Sequence, residues 1–275
     1  SPLDMDGHHI YIKDGGTVWN PGWQPTKTPL DRYSCRHGLG YTILEGEKDG
    51  ICAAQELFVP KGDACELDRL TLTNRSDRPR ELDVFSYVEF CLWDAVDDST
   101  NFQRNFSTGE VEVEPCAIYH KTEYRERRDH YAVFWSNTPV TSFDTARDAF
   151  CGVYGGPADP QAVRTGHCSG SIAHGWAPVG ALHIHVALAP GEEKKILFGL
   201  GYIENPQEEK FTAPGVINKT RAHAMMARYA DDAQVDAARA ALADHWESLL
   251  SGYRLQSGEE KLGRMVNRWH QYQCM

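Results

Sequence analysis

Between Val84 and Trp93 an alternating stretch is apolar on both faces, with Val84, Val88 and Phe90 on one side and Phe85, Tyr87 and Cys91 on the other. Such a strand is stable only when both faces are covered, so it predicts the central strand of a sheet lying between two other layers. It runs into a polar segment, Asp94, Asp97, Asp98, Ser99, Thr100 and Asn101, whose side chains can bond their own backbone and hold an irregular loop. That loop delivers Gln103, Arg104 and Asn105 between Phe102 and Phe106. An arginine set among amides and rings offers a planar fork of donors suited to hydroxyls, carboxylates or phosphates. Pairing of the same arginine with Asp97 or Asp98 to stabilise the loop is the commoner use of these residue types, and spacing does not settle between the two readings.

Around this stretch the pattern is that of an all-β chain. Residues 9–13 (HIYIK), 51–59, 67–73 and 80–93 read as strands, the last two joined by the turn NRSDRPR in an antiparallel meander. Residues 110–114 and 117–121 form a further hairpin, and ALHIHVAL (181–188) returns through APGEEKK as ILFGLGYI (196–203) in a second strong one. The segment 136–171, rich in Gly, Asp, Pro and Ser, reads as loops and short strands. Mixed charges at 121–129 read as a subunit or domain contact built from ion pairs.

Three smaller features carry chemical readings. Trp19 and Trp23, spaced by Pro-Gly, either stack on sugars or pin a proline-rich loop to the core, the second being the commoner use. Arg36 and His37 precede two glycines in RHGLGYT, which favours a strand with a bulge over a site. His183 and His185 point the same way on one strand but have no third ligand at suitable spacing, so no metal is expected.

From Asn218 the period changes. Ala222, Met225, Met226 and Tyr229, then Val235, Ala238, Leu242, Trp246, Leu249 and Leu250, recur at three and four, predicting helices that begin near Asn218 and near Asp231 or Asp232. A third begins at Glu259 with Leu262, Met265, Val266 and Trp269 inward and nothing in the chain to cover them. The apolar stripe around Trp246, Leu250 and Trp269 is expected to be exposed and to favour aggregation. The expected fold is mainly β: a large antiparallel β-sandwich followed by a C-terminal α-helical segment. The abrupt Ser1 and an end that falls inside a helical pattern read as an internal piece of a longer protein.

Composition narrows the function. A net charge of -11, 28 basic against 39 acidic residues, repels polyphosphates, and no basic face is concentrated enough for nucleic acid. No apolar run approaches the roughly 18 residues of a membrane span. Eight cysteines without a C-x-x-C pair read as reduced thiols, hence a cytoplasmic protein. There is no G-x-S-x-G, P-loop, H-E-x-x-H or dinucleotide fingerprint, and three loop aspartates more often solvate a turn than catalyse.

WNPGWQPTKTPLD with RHGLGYT, SYVEFCLWDAVDDSTNFQRNFSTGEVEVE, AIYHKTEYRERRDHYAVF, LGYIENPQEEKF and MVNRWHQYQCM, in that order, resemble the cellobiose phosphorylases among the inverting glycoside phosphorylases of glycoside hydrolase family 94. The resemblance implies a β-supersandwich over 1–215, a helical linker over 216–252, and over 253–275 the first helix of an (α/α)6 catalytic barrel. It implies that inorganic phosphate, a co-substrate, attacks the anomeric carbon of cellobiose to give α-glucose 1-phosphate and glucose. It places the general acid beyond Met275, so no catalytic residue is expected in this chain, and it requires no cofactor or metal. The family is homodimeric, and the arginine matching Arg104 serves the acceptor-sugar site of the other subunit, with Gln103 and Asn105 as weaker candidates. Phosphorylases of chitobiose or cellobionic acid, or a noncatalytic carbohydrate-binding sandwich, are the alternatives.

Overall fold

The computed structural model describes residues 7–90, 109–122, 129–175 and 178–274. Two antiparallel sheets face each other. The five-stranded sheet has the order β11-β12-β7-β1-β2, formed by β1 (His8–Asp14), β2 (Thr17–Trp19), β7 (Arg80–Glu89), β11 (Ser142–Ala146) and β12 (Pro178–Leu188). The eight-stranded sheet has the order β3-β4-β5-β6-β13-β10-β9-β8. Its strands are β3 (Arg32–Gly38), β4 (Tyr41–Lys48), β5 (Ile51–Phe58), β6 (Cys65–Asn74), β8 (Gly109–Glu114), β9 (Ala117–Thr122), β10 (His130–Ser136) and β13 (Glu193–Glu204). A small pair, β14 (Phe211–Ala213) and β15 (Val216–Ile217), follows.

The doubly apolar stretch is the middle strand of the five-stranded sheet. Leu82, Val84 and Val88 face the other sheet, in a core with Ile10, Ile12, Leu70, Leu72, Phe134, Ile184 and Phe198. Phe85 and Tyr87 face outward and are covered with Tyr11 by Phe150, Cys151, Ala162 and Val163. The last four come from two short helices, α1 (Arg147–Cys151) and α2 (Gln161–Thr165), inside the segment expected to hold only loops and strands. Five residues are too few to display a 3.6-residue period, so the pattern could not announce them.

Two turns that read as hairpins are arches between the sheets. β6 pairs with β5 and β13, while β7 pairs with β1 and β12, so NRSDRPR carries the chain from one sheet to the other. β12 and β13 are likewise in different sheets. Alternation reports that a strand has a buried face, and it is silent about which strand lies beside it. The two arches stack: Asn74 N–H donates to Glu192 O (3.0 Å), and Gly191 N–H donates to Asn74 O (2.8 Å). The fully buried Asn74 side chain donates to Arg78 O (2.8 Å), Leu188 O (3.1 Å) and Ala189 O (3.2 Å) and accepts from Ser76 N–H (3.0 Å).

The outer face of the eight-stranded sheet is buried under α3 (Thr220–Ala227) and α4 (Asp232–Leu250). Ala222, Met225, Tyr229, Val235 and Leu242 pack there against Leu67, Tyr131, Val133, Trp135 and Leu197. Gly199 has no Cβ because the Trp135 ring stands 2.2 Å from where one would be. Asp231 caps α4 by accepting from Gln234 N–H (2.9 Å), as its residue type forecast. Ion pairs add register: Arg69 bonds Glu56 (2.6 Å) and Asp236, Arg239 bonds Glu56 (3.2 Å), and Arg228 bonds Asp63 (2.7 Å).

The expected exposed stripe is therefore smaller. Trp246 is partly buried against this core and Leu250 is buried, because the helices have the sheet to cover. Leu249 (47% exposed), Leu262 (47%), Met265 (54%) and Trp269 (62%) do remain in solvent, on the end of α4, on α5 (Glu260–Arg264) and on the π-helical turn Met265–His270. No helix among the described residues is long and apolar enough to cross a membrane.

Candidate functional site

One end of the sandwich gathers the strand ends that flank residues 91–108, 123–128 and 176–177. In the five-stranded sheet His8 is opposite Val88, and Glu89 is opposite Val179. In the other sheet His130 is opposite Glu204, Tyr131 opposite Lys121, Gly109 opposite Thr122 and Gly201 opposite Cys65. The two sheets touch here, through His8 with Glu66 and through Phe90 stacked on His120 at 4.8 Å. Gln103, Arg104 and Asn105 lie outside the described residues, as do Asp94, Asp97 and Asp98 and the charged run 123–128.

The structure shows how the chain is held on either side of that segment. On the β7 side Glu89 accepts from Tyr87 Oη (2.6 Å) and from Arg147 Nε (3.2 Å), so α1 is tied to the strand end. Tyr87 stacks on Phe150 at 4.7 Å, and Phe90 is 5% exposed. On the β8 side Glu110 pairs with the buried Lys121 and bridges to His174. Further along β8, Glu112 accepts from Ile217 N–H (2.7 Å) and pairs with Lys219, while Glu114 pairs with His223 (2.8 Å). The start of the helical segment thus covers what would be an open sheet edge.

Beneath this end lies a polar layer that the sequence reading missed. His8 Nδ1 is 3.2 Å from Glu66 Oε1, and His8 Nε2 is 2.7 Å from Ser86 Oγ and 3.5 Å from Asp68 Oδ2. Gln55 Nε2 donates to Asp68 Oδ2 (2.8 Å), and Asp68 Oδ1 has no hydrogen-bond partner among the described residues. Burial pushes the Asp68 carboxyl up to about 6, with His8 and Gln55 opposing. Burial works against a charged His8, yet the Asp68 and Glu66 carboxylates hold it above its ordinary range. The signal was phase: Asp68 falls in step with Leu70 and Leu72, and His8 with Ile10 and Ile12, all of which face the core.

The other sequence candidates separate. Trp19 is fully buried, whereas Trp23 is 43% exposed with Lys27 Nζ 6.0 Å above its ring, so one tryptophan and not two pins the loop. Arg36 and His37 lie on the exposed edge strand β3; its register with β4 runs without a bulge to a two-residue turn. His183 and His185 are brought together, but by carboxylates. His183 Nε2 and His185 Nδ1 are each 3.0 Å from Asp83 Oδ1, and His185 Nε2 is 2.8 Å from Glu81. Burial lowers the His183 pKa, and the hydrogen bond to Asp83 raises that of His185. Among the described residues no group of three His, Cys, Asp or Glu side chains is placed to hold a metal ion. The described cysteines are free thiols, Cys52, Cys65, Cys151 and Cys168 buried.

Comparison with known proteins agrees with this architecture. The family model described as the glycosyl hydrolase 94 supersandwich domain matches residues 1–232. An N,N'-diacetylchitobiose phosphorylase of Vibrio furnissii is 33% identical over 98% of this chain and 33% of its own length. A solabiose phosphorylase of Paenibacillus borealis is 38% identical over 67% of this chain and 24% of its own length. The chain thus spans about a third or less of these relatives. Among solved structures a bacterial glucoamylase complexed with acarbose shares the fold, with a TM-score of 0.57 at 9% identity over 90% of this chain and 32% of that one. A family match over most of the chain, on a sandwich built as the motifs foretold, settles its membership: the chain belongs to the glycosyl hydrolase 94 supersandwich family.

Proposed function

We propose that this chain is the N-terminal part of an inverting phosphorylase of β-linked disaccharides. The observation that carries the reading is the supersandwich match over 1–232 together with phosphorylase relatives about three times as long. Residues 1–215 form the sandwich, 216–252 the linker, and 253–275 the start of the catalytic barrel. In the reaction a phosphate oxygen bonds to the anomeric carbon as the glycosidic bond breaks. A carboxylic acid outside this chain protonates the departing oxygen, so no second carboxylate base is needed. The enzyme works in the cytoplasm as a homodimer without cofactor or metal.

In this reading the sandwich acts on the partner subunit. Arg104, steadied by Gln103 and Asn105, presents its fork of donors to the hydroxyls of the acceptor sugar. The anchored ends at Glu89–Phe90 and Glu110 support it by fixing where that segment leaves and re-enters the sheets. The motifs favour cellobiose, and the Vibrio relative favours N,N'-diacetylchitobiose as a second reading. In the longer enzyme, Arg104→Ala is expected to raise the acceptor KM in the synthetic direction by about tenfold or more, the value of one lost charged hydrogen bond. The fold should be unaltered. Unchanged kinetics with both glucose and N-acetylglucosamine would remove Arg104 from the site.

A further inference from the structure

On the outer face of the five-stranded sheet a cavity of 710 Å³ is lined by residues between Cys151 and Arg164, where α1 gives way to α2. The turn here lifts Val153 and Tyr154 off the surface, 71% and 103% exposed. The turn is built tightly. Gly155 N–H donates to Gly152 O (3.0 Å), and a Cβ at Gly155 would sit 2.1 Å from the Cys151 carbonyl oxygen. Its base is rigid, since Phe150, Cys151, Ala162 and Val163 are buried in the outer core and Tyr11 Oη donates to Pro157 O (2.8 Å). Also lining the cavity are Gln161 and the pair in which Arg164 Nη1 donates to Asp159 Oδ2 (2.8 Å), both side chains of the pair exposed.

We propose that this cavity is a carbohydrate-binding site that takes one pyranose unit of a neutral oligosaccharide, its β-linkage resting on the function proposed above. One face of such a sugar is a patch of C–H groups, which Tyr154 can cover, and its rim is a ring of hydroxyls. The Arg164–Asp159 pair and Gln161 offer those hydroxyls both donors and acceptors in planar groups. The pair is electrically balanced, which suits a neutral ligand better than a phosphate. Two apolar side chains are far short of the roughly 800 Å² per partner that a stable protein interface uses, while the cavity has the size of a small-molecule site. The site shares no residue with 103–105, so each proposal can be tested by its own substitution.

The test is calorimetric titration of the 275-residue chain with cellotetraose and with N,N'-diacetylchitobiose. Saturable binding of at least one sugar is expected, weakened by about tenfold in Tyr154→Ala and by less than about twofold in Tyr154→Phe, because the ring and not the hydroxyl does the stacking. Arg104→Ala should bind as the unaltered chain does, which separates this site from the acceptor site. Tyr154 is fully exposed, so its replacement leaves the core untouched, and far-ultraviolet circular dichroism verifies this. No saturable binding of either sugar, equal binding by Tyr154→Ala, or binding lost in Arg104→Ala would each overturn the proposal.

Discussion

Asn74 joins two arches that no local pattern would pair, and its side chain satisfies backbone groups on both. Truncating it strands buried carbonyls as well as removing bonds, so Asn74→Ala should cost about 3 kcal/mol. The check is a lower urea midpoint with an unchanged denaturant slope. The His8–Asp68 layer makes a prediction about pH. Both groups have folded-state pKa values raised above their ordinary ones, so between roughly pH 4 and 7 the folded state binds more protons than the unfolded. The Asp68 contribution is fully present at low pH and is lost as pH rises through about 6, while that of His8 is lost at higher pH, above the ordinary imidazole range. Carboxyls held low act oppositely: hydrogen bonds from two imidazoles outweigh burial at Asp83, and those from Tyr119 and His223 do so at Glu114, and their stability is lost in acid. Stability should therefore peak at mildly acidic pH, and Asp68→Asn should flatten the decline between pH 5 and 8. An undiminished decline in urea midpoint would count against this layer as its source.

At the scale of elements, α4 behaves as part of the sandwich. Leu242 is buried between it and the eight-stranded sheet, so Leu242→Ala should destabilise the whole chain by about 3 kcal/mol in a single transition. A separate early transition for the helices, seen by circular dichroism against tryptophan fluorescence, would show that they are merely tethered. Much of this level was legible: the positions of β1, β5 to β9, β12 and β13, the faces of β7, and the cap at Asp231 follow from local periodicity and residue type, whereas β4 and β10 carried no strand reading. The partners of the strands were not, since a hairpin and an arch between sheets present the same alternation and the same turn residues. Asn74 itself reads as an ordinary turn residue until the second arch is placed against it. The polar layer was half legible, because Asp68 and His8 stand in phase with buried leucines and isoleucines, but only the register of four strands brings them together.

Taken whole, the molecule is a sandwich whose inner core joins the sheets and whose two outer faces are each covered, one by short helices and one by the C-terminal helices. The role proposed for Arg104 rests on a long motif alone, since an arginine near three aspartates has no unique role on residue types. Leu262, Met265 and Trp269 remain in solvent at the far end of the chain. The most direct test is release of sugar 1-phosphate from cellobiose or N,N'-diacetylchitobiose and inorganic phosphate, comparing this 275-residue chain with a polypeptide extended past Met275. The account predicts turnover only in the extended protein, with an α-configured product. Turnover by the 275-residue chain alone would contradict it and would place the catalytic acid within the chain, with Asp94, Asp97 and Asp98 the first residues to replace.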